Sequence, residues 1–537
     1  MPSSRFITAS AILLSCGCSS GSHGARDSGP PPVIDAGDSG VSIDAAAADA
    51  SADAGPRIDF DVLQYHKDLA RTGAYVDPAF TRQAVANLHP DTSFAASFTG
   101  HVYAQPLYVE TGPARRPAFI VATEANDVIA FDAGDGRMIW MQHLGTPVAL
   151  ASLPCGSIDP LGITGTPAID PATRLVFVDA MTTPDGGTTK RHLIFALDLD
   201  TGTPRMTGGW PIDVDQRFMM MSFDSSHQNQ RAALLFVNGV LYVAYSGHGG
   251  DCDPYYGWVI GVPVSDPSTA TAWRTRGLRG GIWGGGAGPA SDGTRVYTVT
   301  GNTEVGMAYS DGEGVIALSA TNPFSPNVVD FFAPTNWKDL DDKDLDLGGA
   351  GAVVFDLPGS TPSTLIAALG KDGSAYLLDR THLGQIGGTL AVYPVGHGNI
   401  LGGAAFYRTP LGAYLVFTSG LNAANCPTSA GDLVALKINP GVPPTITTAW
   451  CARVNSGNGG SSPIVTLSDL SGANAIVWSV GANGDGYLHG VDGDTGESLF
   501  GGGGVALTGF RYFGTVIAVD GRIIVGRDDT LSAFTIR

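Results

Sequence analysis

The sequence predicts an all-β fold: an eight-bladed β-propeller of four-stranded antiparallel blades, closed by an N-terminal strand, with seven blades as the alternative count. Three observations predict it. First, in 537 residues there are 74 Gly and 34 Pro with only 15% charged residues, and period-2 and short apolar runs replace helical spacing. Second, a turn repeats: Ala130-Phe-Asp132-Ala-Gly-Asp-Gly136, Ala196-Leu-Asp198-Leu-Asp-Thr-Gly202 and Gly490-Val-Asp492-Gly-Asp-Thr-Gly496. Third, two further strands precede each such hairpin, and the first of them opens on Gly and Ala.

The repeated turn follows a β-rich run each time (DVIAF, HLIFAL, GYLHGV), so it reads as strand, Asp/Gly turn, strand. Degenerate copies at WVIGVPVSDP, GVIALSATNP, SAYLLDRTHLG, DLVALKINPG and TLSAFTIR bring the total to about eight. Their spacing, roughly 55–60 residues, is near that of four-stranded propeller blades. Upstream lie the openings AQPLYV, GTPAID, QRAALLFV, GAGPASDG, GGAGAVVF, GGAAFY, SSPIV and FGTVIAV. Small residues belong there if these strands are innermost, where blades converge. The chain ends at TLSAFTIR, a third strand, so its edge needs a partner. SFAASF, Ser93 to Phe98, is expected to supply it.

Residues 1–15 read as a lipoprotein signal peptide. Arg5 precedes a short apolar run, Phe6 to Leu14, and Leu13-Leu14-Ser15-Cys16 resembles a lipobox, implying lipidation of Cys16. An ordinary signal peptide with a chance cysteine is the alternative. Gly17 rather than Asp after Cys16 implies retention at the bacterial outer membrane, on its periplasmic or surface side, with membrane contact through the lipid alone. Residues 16–58, rich in Ala, Asp, Gly and Pro, read as anchor and solvated tether, and 59–537 as the propeller. A formal charge of −20 argues against nucleic acid as a partner.

In a four-stranded blade, the loops between second and third strands share a face with the blade-to-blade connections. That face receives the long loops EAND, SGHGGDCDPYYG, TGNTEVGMAYSDGEG and TSGLNAANCPTSAG. It is expected to form a polar funnel from His101, Tyr103, Gln105, Glu124, Asn126, Arg231, His248, Asp251, Tyr255, Trp283, Asn302 and Lys371, with Asp344 and Asp346 nearby. The alternative for each is that it satisfies its neighbours and the loop backbone. With Cys16 set aside, four body cysteines allow three pairings. Positions on this face make Cys155–Cys252 and Cys426–Cys451 the economical pairs, each stapling a long loop.

The A-x-D-x-x-T-G hairpin, followed in one copy by Trp140, resembles the repeat of quinoprotein (pyrroloquinoline quinone, PQQ) propellers. QYHKDLARTGAY, HVYAQPLYV, GITGTPAIDP, GGIWGGGAGPA, VTGN, DLDLGGAG and GKDGSAYLLDR resemble a bacterial lipoprotein subgroup of that superfamily, and this resemblance assigns no activity. The resemblance implies the fold, and for an enzyme PQQ and Ca2+. It leaves function open, since this propeller hosts alcohol dehydrogenases and assembly lipoproteins alike.

For a dehydrogenase the chain lacks the adjacent Cys-Cys pair and a haem-attachment CxxCH, and Glu124, Asn302 and Asp344 match no calcium motif. DLDDKDLDLGG is no EF-hand loop, because Leu347 stands where Gly is needed; it is expected to be an exposed, solvated run. Paired carboxylates (Glu124 with Glu304, or Asp251 with Asp253) offer a weaker glycan-cleaving alternative. The expectation is therefore a monomeric, envelope-anchored binding or scaffolding propeller for an envelope protein, peptide or glycan. No catalytic residue, metal ligand or required cofactor is assigned, and a PQQ- and calcium-dependent alcohol or sugar dehydrogenase is the alternative.

Overall fold

The computed structural model describes residues 58–537, apart from 305, 307, 397–399, 420–425, 427–430 and 458–459. The expected signal peptide, lipidated Cys16 and tether lie outside the described residues. From Ile58 to Arg537 the chain is one compact unit of eight antiparallel sheets. Their inner strands are Leu107–Val109, Ala168–Asp170, Leu235–Val237, Ala290–Ser291, Val353–Asp356, Ala405–Thr409, Ile464–Leu467 and Val516–Val519. These coincide with the eight small-residue openings, so eight blades replace the alternative of seven.

The hydrophobic core is divided among the blade interfaces. Phe177 and Ile194 of the second blade pack with Tyr245 and Trp258 of the third, and Tyr297 of the fourth with Ile366 and Leu378 of the fifth. Each blade is therefore buried on both faces, and a lone blade would leave its apolar faces in water.

The Asp/Gly turns make a second kind of inter-blade contact. Asp198 Oδ1 accepts from the backbone N–H of Asp200 (3.0 Å) and Thr201 (2.9 Å), and Gly202 closes the turn at φ 73°. A Cβ on Gly202 would lie 2.5 Å from the Trp140 ring of the preceding blade, whose indole N–H donates to Leu199 O at 3.1 Å. The glycine thus serves the turn and leaves room for the neighbour's tryptophan.

Closure uses chain from before the first blade. Ala96–Ser97 pairs with Leu531 and Thr530, inside the expected segment, and His89–Pro90 pairs with Thr535 and Phe534. The missing outer strand of the last blade is therefore supplied in two short pieces, one of them outside Ser93 to Phe98.

The central channel is filled by a segment with no periodicity. Leu63 O accepts from Ile169 N (2.8 Å), Leu69 O from Ser291 N (2.7 Å) and Ala70 O from Val354 N (2.9 Å). Thr72 O then accepts from Phe406 N and Gly73 O from Val465 N, both at 2.8 Å. Ala74–Val76 continues as a parallel strand on Ile464–Leu467. The chain thus circles the channel, giving a carbonyl to one inner strand after another. At its centre Arg71 is fully buried and donates to Tyr65 O (2.9 Å), Leu234 O (3.0 Å) and Pro289 O (2.9 Å). Burial lowers its pKa to about 10, so the cation persists. The bonded inner-strand residues lie downstream of Thr166, Trp283 and Asp346 along their blades, so the channel is blocked below its mouth.

Candidate functional site

Above this plug the mouth holds a cavity of 290 Å³, walled by Arg231, Asp251, Trp283, Asp344, Asp346, Lys371 and Phe513 among others. The connections into successive blades bring them together: Arg231 before the third blade's inner strand, Trp283 before the fourth's, Asp344 and Asp346 before the fifth's. Gly285 lets these connections meet. Its φ is 52°, and a Cβ there would lie 1.7 Å from Leu401 O.

Asp344 and Asp346 follow the short helix Trp337–Lys343, whose C-cap is Asp344 in the left-handed conformation. The expected solvated run is in fact clamped to the fourth blade's loop by its own carboxylates. Asp341 Oδ1 accepts from Thr303 N (2.9 Å) and Asp346 Oδ1 from Asn302 N (2.8 Å), both side chains being buried. Loop backbone amides supply what water would have supplied, which is why these two leave the surface. Burial raises the Asp341 carboxyl to about 6. Lys371 Nζ forms an ion pair with Asp346 and a second with Asp344 at 3.2 Å; against burial, the Asp346 charge holds this ammonium above its usual pKa. Asn302 joins through Nδ2, 3.4 Å from Asp344 Oδ1.

Arg231 faces this cluster from the third blade. It is 9% exposed and lies over the rings of Phe513 (4.2 Å) and Tyr512 (5.3 Å). Its Nη2 is buried and meets no hydrogen-bond acceptor among the described residues. Burial raises the Tyr512 hydroxyl, yet the Arg231 charge together with hydrogen bonds from Ser157, Arg231 and Tyr103 holds the phenol below its usual pKa. Asp251 accepts from Tyr255 OH at 2.6 Å, and the Tyr255 ring meets Trp283 edge-on at 6.5 Å. The loop bearing Asp251 is stapled by Cys155–Cys252, and Cys426–Cys451 is the second disulfide; both are the expected pairs.

Six of the twelve expected funnel residues, Arg231, Asp251, Tyr255, Trp283, Asn302 and Lys371, thus line or buttress the cavity. The others do different work. Gln105 holds the plug, accepting from His66 N at 3.0 Å, and Asn126 donates to Gly145 O (3.1 Å) and Met181 O (2.8 Å). His248 Nε2 is bonded to Ser226 O at 3.1 Å, and burial lowers its pKa to about 4, so it is a neutral loop brace. His101 contacts Arg511 (2.7 Å) and Asp528 (3.1 Å), while Tyr103 packs on Tyr512 at 5.8 Å. Glu124 is fully buried, accepts from Gly162 N at 2.7 Å, and is raised by burial to about 7. For Gln105, His248 and His101, and for one polar atom each of Asn126 and Glu124, a backbone or side-chain group of the protein takes the place of a ligand; Asn126 Oδ1 and Glu124 Oε1 are buried without a partner among the described residues.

Neither expected carboxylate pair faces a shared space. Glu304 is exposed while Glu124 is buried, and Asp253 is turned to Arg279 at 2.7 Å. The residues sequence reasoning passed over are Arg511, Tyr512, Phe513 and Leu401. All lie in blade-to-blade connections, so the rule that found Trp283 would have found them.

The cofactors that the resemblance implies fit unevenly. Trp283, Arg231 and Lys371 offer a planar acid a ring face and two cations. A calcium ion fits less well, because the Lys371 ammonium already stands between Asp344 and Asp346, where a divalent ion would have to sit. Among the described residues, the one cluster of three carboxylate, Cys or His groups close enough to share a metal is Asp59, Asp61 and Glu110, where the described chain begins.

No family model and no curated protein sequence matches the chain. Solved structures do. The quinohemoprotein alcohol dehydrogenase of Comamonas testosteroni superposes with a TM-score of 0.61 at 14% identity, over 89% of this chain and 80% of that one. The quinohemoprotein alcohol dehydrogenase ADHIIG of Pseudomonas putida HK5 gives 0.60 at 14% identity, over the same 89% and 80%. A europium-containing methanol dehydrogenase gives 0.58 at 16%, over 87% and 89%. At these identities the likeness is one of fold: the chain is an eight-bladed β-propeller.

Proposed function

We propose that this chain is a binding propeller of the bacterial cell envelope, tethered by a lipid on Cys16, whose mouth pocket takes a compact polar group at the end of a peptide or glycan. The observation that carries this reading is Arg231, a buried guanidinium with an unpaired Nη2 in the wall of a pocket closed below by the plug. A buried donor without an acceptor costs about 1–3 kcal/mol, and a ligand bringing one recovers it. The cavity, 290 Å³, is small for a ligand site and suits a terminal group rather than a whole chain. The test is calorimetric titration with cell-wall peptides and oligosaccharides. Binding weakened about tenfold or more by Arg231→Gln supports the reading; no saturable binding overturns it.

A second reading, a PQQ-dependent dehydrogenase, is favoured by Trp283 standing at the mouth between two cations. There Trp283 would lie against the cofactor ring, and Arg231 and Lys371 would hold its carboxylates. The group would supply hydride acceptance, and this chain would supply binding and exclusion of water. Dye reduction by the protein loaded with PQQ and Ca2+, in the presence of an alcohol or sugar, would establish this reading in place of the first.

A further inference from the structure

We infer that the mouth pocket is built for a dipolar ligand, a zwitterion whose carboxylate meets Arg231 and whose cationic end meets Asp344 and Asp346. This rests on the binding reading above and names the ligand class for that same pocket.

The inference follows from how the wall charges are compensated. Lys371 brings one positive charge to two carboxylates, so the fifth-blade side keeps a net negative charge. Asp344 is the open member, its side chain 63% exposed, while Asp346 is turned inward. On the third-blade side the Arg231 guanidinium makes a local positive pole, although Asp251 of the same blade also lines the cavity. Arg231 touches aromatic rings, and Asp251, the carboxylate from its own blade, is turned to the Tyr255 hydroxyl. Its buried, unpaired Nη2 is the donor an oxyanion would complete, and a charged acceptor gains most there. Trp283, from the blade between, separates the poles and offers an apolar face to whatever spans them.

A monoanion satisfies one pole and is repelled by the other, and a monocation does the reverse. A neutral sugar leaves both charges uncompensated. A polycarboxylate such as PQQ without a metal meets the negative side unfavourably. A molecule with separated carboxylate and ammonium groups, as in an amino acid or the end of a short peptide, satisfies both.

The test is isothermal titration of the purified full chain with glycylglycine, 4-aminobutyrate and 6-aminohexanoate as zwitterions of graded length. Hexanoate, hexylamine and methyl glucoside are the controls, and PQQ alone is a further arm. At least one zwitterion is expected to bind ten times more tightly than every control. Arg231→Gln should weaken zwitterions and hexanoate while sparing hexylamine. Asp344→Asn, at a side chain that is 63% exposed, should weaken zwitterions and hexylamine while sparing hexanoate. Circular dichroism checks that both variants are folded. Binding of the glucoside, a single-charge probe or PQQ as tightly as the best zwitterion overturns the inference and leaves the binding reading standing. The same holds if neither variant changes the selectivity. Failure of every probe, including cell-wall fragments, overturns both.

Discussion

Replacing Arg71 by methionine should loosen the channel plug while the blades remain. Methionine keeps a similar stem but leaves Tyr65 O, Leu234 O and Pro289 O without their shared donor. Each buried unpaired carbonyl costs about 1–3 kcal/mol. Relief from burying a guanidinium returns several kcal/mol, so a net loss of about 2–4 kcal/mol is expected. Unfolding entropy near 2 cal/mol/K per residue gives roughly 1 kcal/mol/K for a unit of this size, hence a Tm lower by about 2–4 °C. Hydrogen exchange is the more telling assay. The amides of Ser291, Val354, Phe406 and Val465 donate to the plug, and their protection should fall by roughly 30-fold or more. Arg71→Lys should fall short in the same way, because one ammonium cannot reproduce a fork spread over three carbonyls. Unchanged protection at those four amides with a Tm shift below about 1 °C would refute this account of the plug.

Three further outcomes are expected. Glu124 is raised to about 7 by burial, so the folded state holds its proton where the unfolded carboxyl has lost it, and stability falls as pH rises from about 4.5 through 7. Glu124→Gln should therefore raise Tm at pH 8 and do little at pH 5, an effect of order 3 kcal/mol at 1.36 kcal/mol per unit. Cys155→Ser opens a bridge spanning 97 residues and Cys426→Ser one spanning 25, so the chain-entropy losses are about 4.7 and 3.5 kcal/mol, ranked by denaturation midpoints. Asp179 joins His192 (2.6 Å) and Tyr245 (2.7 Å) between the second and third blades, all buried. Burial opposes the His192 charge, but Asp179 holds its pKa above the ordinary value, so this stabilisation is full below about 6.5 and fades as pH rises through the folded pKa. Asp179→Asn should cost about 3–5 kcal/mol and abolish that fade in pH-dependent melting.

What the sequence made legible was whatever repeats. Gly and Ala at eight strand openings, and the Asp-Thr-Gly turn, reflect constraints every blade meets, so their period located the inner strands and the turn chemistry. The disulfides followed because strand order alone put Cys155 and Cys252 on one face. What stayed hidden was set once, by particular neighbours. Residues 62–76 bond through backbone carbonyls, which no side-chain pattern announces. Gln105 and Asn126 looked like ligand groups, but the amides and carbonyls they satisfy belong to segments distant in sequence or to the next blade. Arg231 owes its place to Phe513, which strand periodicity could not link to it.

The plug also sets an order of assembly. Asp77, where the circling segment ends, is bonded to Gly521, 444 residues later, and His89 pairs with Thr535 two residues from the end of the chain. The first part of the folded unit to be synthesised therefore has its sockets delivered one by one, the last of them 444 residues later. Until then the growing arc keeps bare inner strands, which makes folding slow and its intermediates prone to wrong pairing. A chain cut short by a single blade would not be a smaller ring, since the opening residues would have nowhere to finish their circuit.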